Sequence, residues 1–266
     1  MNKGTQVRAK KHLGQHFLTD HSIAAAIVKG LTDFCETEYV LEIGPGTGVL
    51  TQFLFPNSGF KTIAIDIDEE SVTYLKQAYP MHADQVLFGD FLASDLSQLI
   101  PNTFSLIGNF PYNISSQIVF KLLASRNQIP LMVGMFQKEV AERLAASPRT
   151  KEYGILSVLT QAYYDVTYLF TVDEHVFNPP PKVKSGVIRC VRKQLPPAID
   201  EKWFFKVVKT AFNQRRKKLR NALQQFKVKD ELLQEHNFIN KRAEELTYVE
   251  FIELTKLIQQ YGENNG

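Results

Sequence analysis

Cysteine is nearly absent from this chain of 266 residues, with Cys35 and Cys190 alone and far apart in sequence. That excludes a disulfide framework and a cysteine-based zinc site, both of which need clustered thiols, and no metal is expected. Long apolar runs are missing too. The longest, such as residues 131–136, fall far short of the roughly 18 needed to span a bilayer. The N-terminus is basic, but no apolar block follows it, which argues against a secretory signal. These absences point to a cytoplasmic protein with no membrane association.

Acid is absent from two stretches. Residues 1–19 carry Lys3, Arg8, Lys10 and Lys11, and residues 202–229 carry ten Lys or Arg, with no Asp or Glu in either. The net charge of +3 therefore combines two basic stretches with an otherwise acidic chain. Such asymmetry suits a polyanion, because each neutralised phosphate releases condensed counterions. Solvated basic helices account for the charge equally well at this point.

What is present is ordinary globular composition, 44% apolar and 22% charged. Apolar, strand-like runs at 39–44, 61–66, 85–89, 104–109 and 131–136 alternate with helical periods at 48–55, 69–78, 115–123 and 138–146. Buried strands separated by helices predict a parallel α/β sheet. Segments 165–171 and 186–191 read as a closing pair of strands. Leu195-Pro-Pro-Ala198 then breaks the pattern and marks the expected domain boundary. Helical periods at 201–212, 217–226 and 247–260 follow. The expected layout is a catalytic domain over 1–194, with a basic arm and covering segment over 1–38, and a small all-α domain over 195–266.

Two motifs carry chemistry. Val40-Leu-Glu-Ile-Gly-Pro-Gly-Thr-Gly48 is a strand entering a glycine loop. Gly44, Gly46 and Gly48 permit a tight turn and close approach of a ligand to the backbone. Asp66, about twenty residues on, ends the next strand, where a carboxylate can accept hydrogen bonds from a ribose. Asp90 follows the third strand and could accept from an adenine amine or N-cap a helix. The loop suits a nicotinamide dinucleotide, a flavin or S-adenosylmethionine, and the residues alone leave that choice open. It lacks the Gly-Lys-Ser/Thr of a phosphate loop.

The second motif is Asn109-Phe110-Pro111-Tyr112, at the end of the fourth strand. An adenine amine is a poor nucleophile because its lone pair is delocalised into the ring. The Asn109 side-chain oxygen and the Phe110 carbonyl can accept from its two N–H groups and localise that lone pair, with Pro111 constraining the turn. Tyr112 offers an aromatic face on which the base can stack.

With these motifs, the chain resembles the KsgA-type small-subunit ribosomal RNA adenine dimethyltransferases over nearly its whole length. The likeness rests on Leu13-Gly-Gln-His-Phe-Leu18, Glu42-Ile-Gly-Pro-Gly-Thr-Gly48, Asn109-Phe-Pro-Tyr-Asn-Ile-Ser115, Gln137-Lys-Glu-Val140, Phe177-Asn-Pro-Pro-Pro-Lys-Val183 and Ala211-Phe-Asn-Gln-Arg-Arg-Lys217. The last two resemble the small-subunit branch better than its relatives that act on 23S rRNA. The resemblance implies a Rossmann-like methyltransferase sheet, S-adenosylmethionine as cofactor, and transfer of four methyl groups to the N6 atoms of two adjacent adenosines near the 3′ end of 16S rRNA. It also implies a part in small-subunit biogenesis, by a monomer.

By the same resemblance His16 and Leu18 cover the cofactor, Gly44 and Gly46 lie against it, Asp66 holds its ribose and Asp90 its adenine. Asn109, Phe110 and Tyr112 serve the transfer, and Phe177 closes on the target base opposite Tyr112. Lys10, Lys11, Arg215, Arg216, Lys218 and Arg220 are the expected contacts to rRNA phosphates, which position an enzyme without specifying a base. The family usually has Asn at the place of His16 and commonly Glu at the place of Asp66. Imidazole there would let cofactor binding respond to pH.

Overall fold

The computed structural model describes residues 7–262, so Lys3 of the basic N-terminal stretch lies outside it. The chain forms two compact units. One takes the residues up to Glu142 together with Asp165–Arg192, and the other takes Arg143–Tyr164 together with the residues from Lys193 on.

The strands in chain order are β1 (Phe17–Leu18), β2 (Tyr39–Ile43), β3 (Lys61–Asp66), β4 (Val86–Phe88), β5 (Phe104–Asn109), β6 (Leu131–Gln137), β7 (Tyr164–Val172), β8 (Phe177–Asn178) and β9 (Ser185–Arg192). Seven of them make one sheet in the order β4-β3-β2-β5-β6-β9-β7. The pairs β4-β3, β3-β2, β2-β5 and β5-β6 are parallel, while β9 runs antiparallel to β6. Val40–Ile43, Phe104–Gly108 and Leu131–Phe136 are buried without alternation, as strands covered on both faces must be. The chain runs from β2 outward to β4, then returns to lay β5 on the other side of β2. This reversal opens a crevice at the carboxyl ends of β2 and β5.

Helices α1 (His21–Thr32), α2 (Thr51–Leu54), α3 (Glu69–Ala78), α4 (Leu96–Leu99), α5 (Ser115–Ala124) and α6 (Lys138–Ala145) follow their strands and turns. Asp20 caps α1 by accepting from the Ser22 and Ile23 amides at 2.8 and 3.1 Å. The helix buries Ala24, Ile27, Val28 and Leu31, spaced for one face. The short β1 pairs antiparallel with β8, Leu18 opposite Phe177, and so ties the N-terminal segment down.

In the second unit lie α7 (Ile155–Tyr163), α8 (Glu201–Asn213), α9 (Leu219–Ala222), α10 (Asp230–Glu235) and α11 (Tyr248–Tyr261). Two expectations need amendment. The α7 helix buries Leu156 through Thr160 with Ala162 and Tyr163, on all its sides, and residues 143–164 join the C-terminal helices rather than the first domain. The helix expected over 217–226 is broken. Arg215 and Lys217 donate turn hydrogen bonds to the carbonyls of Phe212 and Gln214, and α9 itself is four residues long. Among the described residues no helix is long and apolar enough to cross a membrane.

One packing detail sets up the site. Gly108 of β5 and Gly134 of β6 are register partners, and the ring of Phe110 lies over both. A Cβ on Gly108 would stand 2.6 Å from Phe110 Cε1, and one on Gly134 would overlap the same ring. Phe110 is 1% exposed, with the Phe136 ring 4.9 Å away between centroids. Overpacking of this kind costs about 1–3 kcal/mol. Gly134→Ala is expected to lose that much in denaturant unfolding, and adding Phe110→Leu should recover part of it. Equal stability of Gly134→Ala and the parent would show that the hollow is slack.

Candidate active site

At the crevice the glycine loop leaves β2 and turns through left-handed backbone, with Gly44 at φ +63° and Gly46 at φ +54°. The two glycines differ in what they face. A Cβ on Gly46 would meet the Phe17 ring at 2.7 Å, whereas one on Gly44 would find nothing nearer than Pro111 Cδ at 4.0 Å. Gly46 therefore admits a neighbour of the chain, and Gly44 keeps an open cradle. Asp66 braces the loop: it accepts from the Gly46 amide at 3.1 Å and from the Asp68 amide at 2.9 Å. Burial pushes the Asp66 carboxyl above the usual carboxylate range, against the pull of those amides.

The cleft holds about 470 Å³ of empty space. Asp66 and Ile67 line it with Gly44 and Gly46 from the loops, Asn109 and Tyr112 from the second motif, and residues 13–17 from the N-terminal segment. A second cavity adjoins it, sharing Phe17, Gly44 and Asn109, and Glu42 is the one acid on its lining. Glu42 is 1% exposed and accepts from Thr51 Oγ1 at 2.7 Å. Burial, with a smaller push from Asp66, raises its carboxyl to about 8 despite the Thr51 hydrogen bond. Sequence reasoning passed over Glu42 as the start of the glycine motif; an acid inside an otherwise apolar strand was the available signal.

The N-terminal segment is held over the cleft by polar contacts. Lys10 Nζ pairs with Asp68, and Gln15 Nε2 donates to the same carboxylate at 3.1 Å. Burial of Asp68 opposes its charge, but hydrogen bonds from Lys10, Gln15 and Ser71 outweigh that and hold it below the ordinary value. Asn109 Nδ2 donates to the His16 carbonyl at 2.9 Å. His16 Nδ1 donates to the Pro179 carbonyl at 2.8 Å, and its ring stacks on Tyr112 with centroids 5.3 Å apart. The Tyr112 hydroxyl meets Ser185 Oγ at 2.6 Å.

The structure thus brings His16, Gly44, Gly46, Asp66, Asn109, Phe110 and Tyr112 to one cleft, with Leu18 on the adjoining cavity. Three expected residues stand elsewhere. Phe177 is 4% exposed, in the core with Leu18 and Val172, and the ring lying on Tyr112 is that of His16. Asp90 is not on the cleft's lining; its Oδ1 accepts from the Leu92 amide at 2.8 Å in a turn, and no helix starts there for it to cap. Lys10, half-buried, is paired with Asp68. In the second unit the half-buried Arg215 pairs with Glu244, while Arg216, Arg220 and Lys218, which donates to Asn240, are exposed. Lys11 is exposed as well.

The antiparallel β9, inserted between β6 and β7, departs from the parallel order of dinucleotide folds. With the glycine turn at the point of reversal, it defines a methyltransferase that uses S-adenosylmethionine. The open cradle at Gly44 lets such a molecule approach the backbone.

The ribosomal RNA adenine dimethylase family model matches residues 6–260, and the chain belongs to that family. It is 57% identical over 256 residues to the ribosomal RNA small subunit methyltransferase A of Cytophaga hutchinsonii, covering 95% of this chain and 98% of that one. It also resembles the crystal structure of a dimethyladenosine transferase from Plasmodium falciparum, at 26% identity and a TM-score of 0.79, over 93% of this chain and 99% of that one. The 23S rRNA methyltransferase ErmE shares the fold, at 24% identity and a TM-score of 0.72, over 92% and 100% of the two chains.

Glu42 gives a test by pH. A buried carboxyl raised to about 8 binds its proton more tightly folded than unfolded, so its stabilisation is complete below the unfolded value and is lost as pH rises through 8. Melting temperatures of the parent should fall between pH 5 and 9 more steeply than those of Glu42→Gln. Parallel profiles would mean that Glu42 is ionised throughout.

Proposed function

We propose that the chain dimethylates N6 of two adjacent adenosines in the 3′-terminal hairpin of 16S rRNA, acting on the small ribosomal subunit in the cytoplasm during its biogenesis. The small-subunit target is supported by the name of the Cytophaga hutchinsonii relative and by the Phe177–Val183 and Ala211–Lys217 stretches.

The observation that carries the reading is the fixed orientation of Asn109. Its Nδ2 donates to the His16 carbonyl at 2.9 Å, which leaves Oδ1 as an acceptor toward the cleft. The Phe110 carbonyl follows, on a backbone anchored by the Phe110 amide donating to Met135 O at 3.1 Å. Two acceptors set on a rigid strand end draw the two N–H groups of an adenine amine and localise its lone pair. Preorganised dipoles of this kind cost no reorganisation when charge develops. S-Adenosylmethionine, when bound, supplies a methyl group on a cationic sulfur. No strong base is required, because the alkylated nitrogen is itself acidic. Tyr112 is the stacking face, its hydroxyl tethered to Ser185; a base stacking on the side that His16 covers displaces the imidazole.

For the cofactor, Gly44 admits the backbone approach, Gly46 makes the turn, and Asp66 offers the ribose the lone pairs its two amide contacts leave. His16 and Leu18 cover the site. Asp90 keeps one carboxylate oxygen beyond its turn contact for the adenine amine. Lys11, Arg216, Lys218 and Arg220 are the exposed bases of those expected to meet rRNA phosphates. The catalytic unit takes the cofactor and the target base, and the helical unit adds contacts to the RNA.

Undermethylated small subunits incubated with enzyme and cofactor should gain four methyl groups on the 3′ fragment of 16S rRNA, read by mass spectrometry. Asn109→Ala should abolish the gain while largely sparing the fold, as thermal unfolding reads it; activity within a few-fold of the parent would remove Asn109 from the chemistry. Asp66→Ala should weaken S-adenosylmethionine binding by about 1.5–3 kcal/mol in calorimetric titration, the range for a charged acceptor. Unchanged affinity would move the ribose contact elsewhere.

A further inference from the structure

The loop Ser147-Pro-Arg-Thr-Lys151, between α6 and α7, has a backbone feature that its sequence does not announce. Arg149 sits at φ +71°, a left-handed conformation strained for any residue with a side chain. Such a residue persists where its surroundings over-determine it, and that is a pointer to function. Here they do. The Arg149 amide donates to the Glu244 carbonyl at 2.7 Å, and Thr150 Oγ1 donates to Ser147 O at 2.7 Å. Arg215 reaches in from a distant part of the sequence: its Nη2 donates to Thr150 O at 3.1 Å, and its Nε donates to the Glu244 carboxylate at 2.5 Å.

Arg215 and Glu244 are both partly buried, their side chains 35% and 29% exposed. The exposed cations around them are others, Arg149 and Lys151 on the loop and Arg216 and Lys217 on the turn that follows α8. One ion pair thus draws two basic segments together and fixes the backbone of the loop. Cations on an anchored backbone lose less freedom on meeting a ligand than cations on a loose one.

We infer that Arg215 and Glu244 form a clamp joining the 147–151 loop to the 214–217 turn as one phosphate-binding surface for ribosomal RNA. Arg149 and Lys151 make the contacts, and Arg215 is a positioning residue. This rests on the rRNA substrate proposed above and replaces the expectation that Arg215 itself meets phosphate.

The test is affinity of the full chain for undermethylated small subunits at several salt concentrations. Arg149→Gln with Lys151→Gln should bind more weakly, with a log–log salt slope shallower by about 0.7–0.9 for each lost contact. Glu244→Gln discriminates by sign. It removes an acid beside the surface, so simple charge predicts tighter binding, and so does release of an Arg215 that contacts RNA. The clamp predicts binding weaker by several-fold and faster exchange of the Arg149 amide.

A salt slope unchanged in the double variant, or Glu244→Gln binding as tightly as the parent or tighter, overturns the inference. Melting temperatures report whether Glu244→Gln folds; if it does not, the double variant, confined to exposed side chains, decides alone. A parent that fails to bind small subunits overturns the proposed function along with the clamp. A parent that binds while both variants match it overturns the clamp only.

Discussion

The site hangs on a steric exchange at the middle of the sheet: the ring of Phe110 fills volume that side chains at Gly108 and Gly134 would occupy. Burying a phenylalanine is worth about 1.5–3 kcal/mol, and here that free energy is tied to one backbone geometry. With the ring pinned and its amide on Met135 O, the strand has to end where it does. Asn109 then faces the cleft from the last position of β5, and Pro111 directs the chain into the turn that carries Tyr112. The acceptors are placed by packing beneath them, with no metal or charged neighbour needed to aim them.

A second constraint comes from the N-terminal segment, which works through its backbone as much as through its charge. The His16 carbonyl orients Asn109, β1 pairs with β8, and the Phe17 ring occupies the space left bare by Gly46. Lys10 and Gln15 fasten the segment to Asp68, a carboxylate that also accepts from the Glu70 amide at the start of α3. A basic arm read from composition thus divides on folding. Lys10 holds the cover of the cleft, and Lys11 remains at the surface.

Much of the sheet is legible in sequence because strands covered on both faces read as unbroken apolar runs, and β3 and β5 fall where those runs predict. The glycine loop and Asn109–Tyr112 are legible because their chemistry is local. Long-range partners are not. Gly108 and Gly134 acquire meaning only once β5 and β6 are in register, and neither Lys10 nor Arg215 carries a local mark of its distant acid. The same limit explains Phe177, whose burial depends on Leu18 across a two-residue pairing. The α7 helix is short and buried continuously from Leu156 to Thr160, and a short buried apolar run reads as strand as readily as helix.

The two departures from the usual family residues make sense when backbone and side-chain roles are separated. The contact that matters to Asn109 comes from the backbone carbonyl of residue 16, which is there whatever the side chain. The imidazole of His16 is then available for Pro179 O and the face of Tyr112; since a carbonyl only accepts, Nδ1 carries the proton. At position 66 the shorter acid keeps its carboxylate close to its own strand, where it accepts from Gly46 and Asp68 and stiffens the glycine turn. A carboxylate oxygen has lone pairs beyond one amide contact, so this bracing leaves capacity for a ligand hydroxyl.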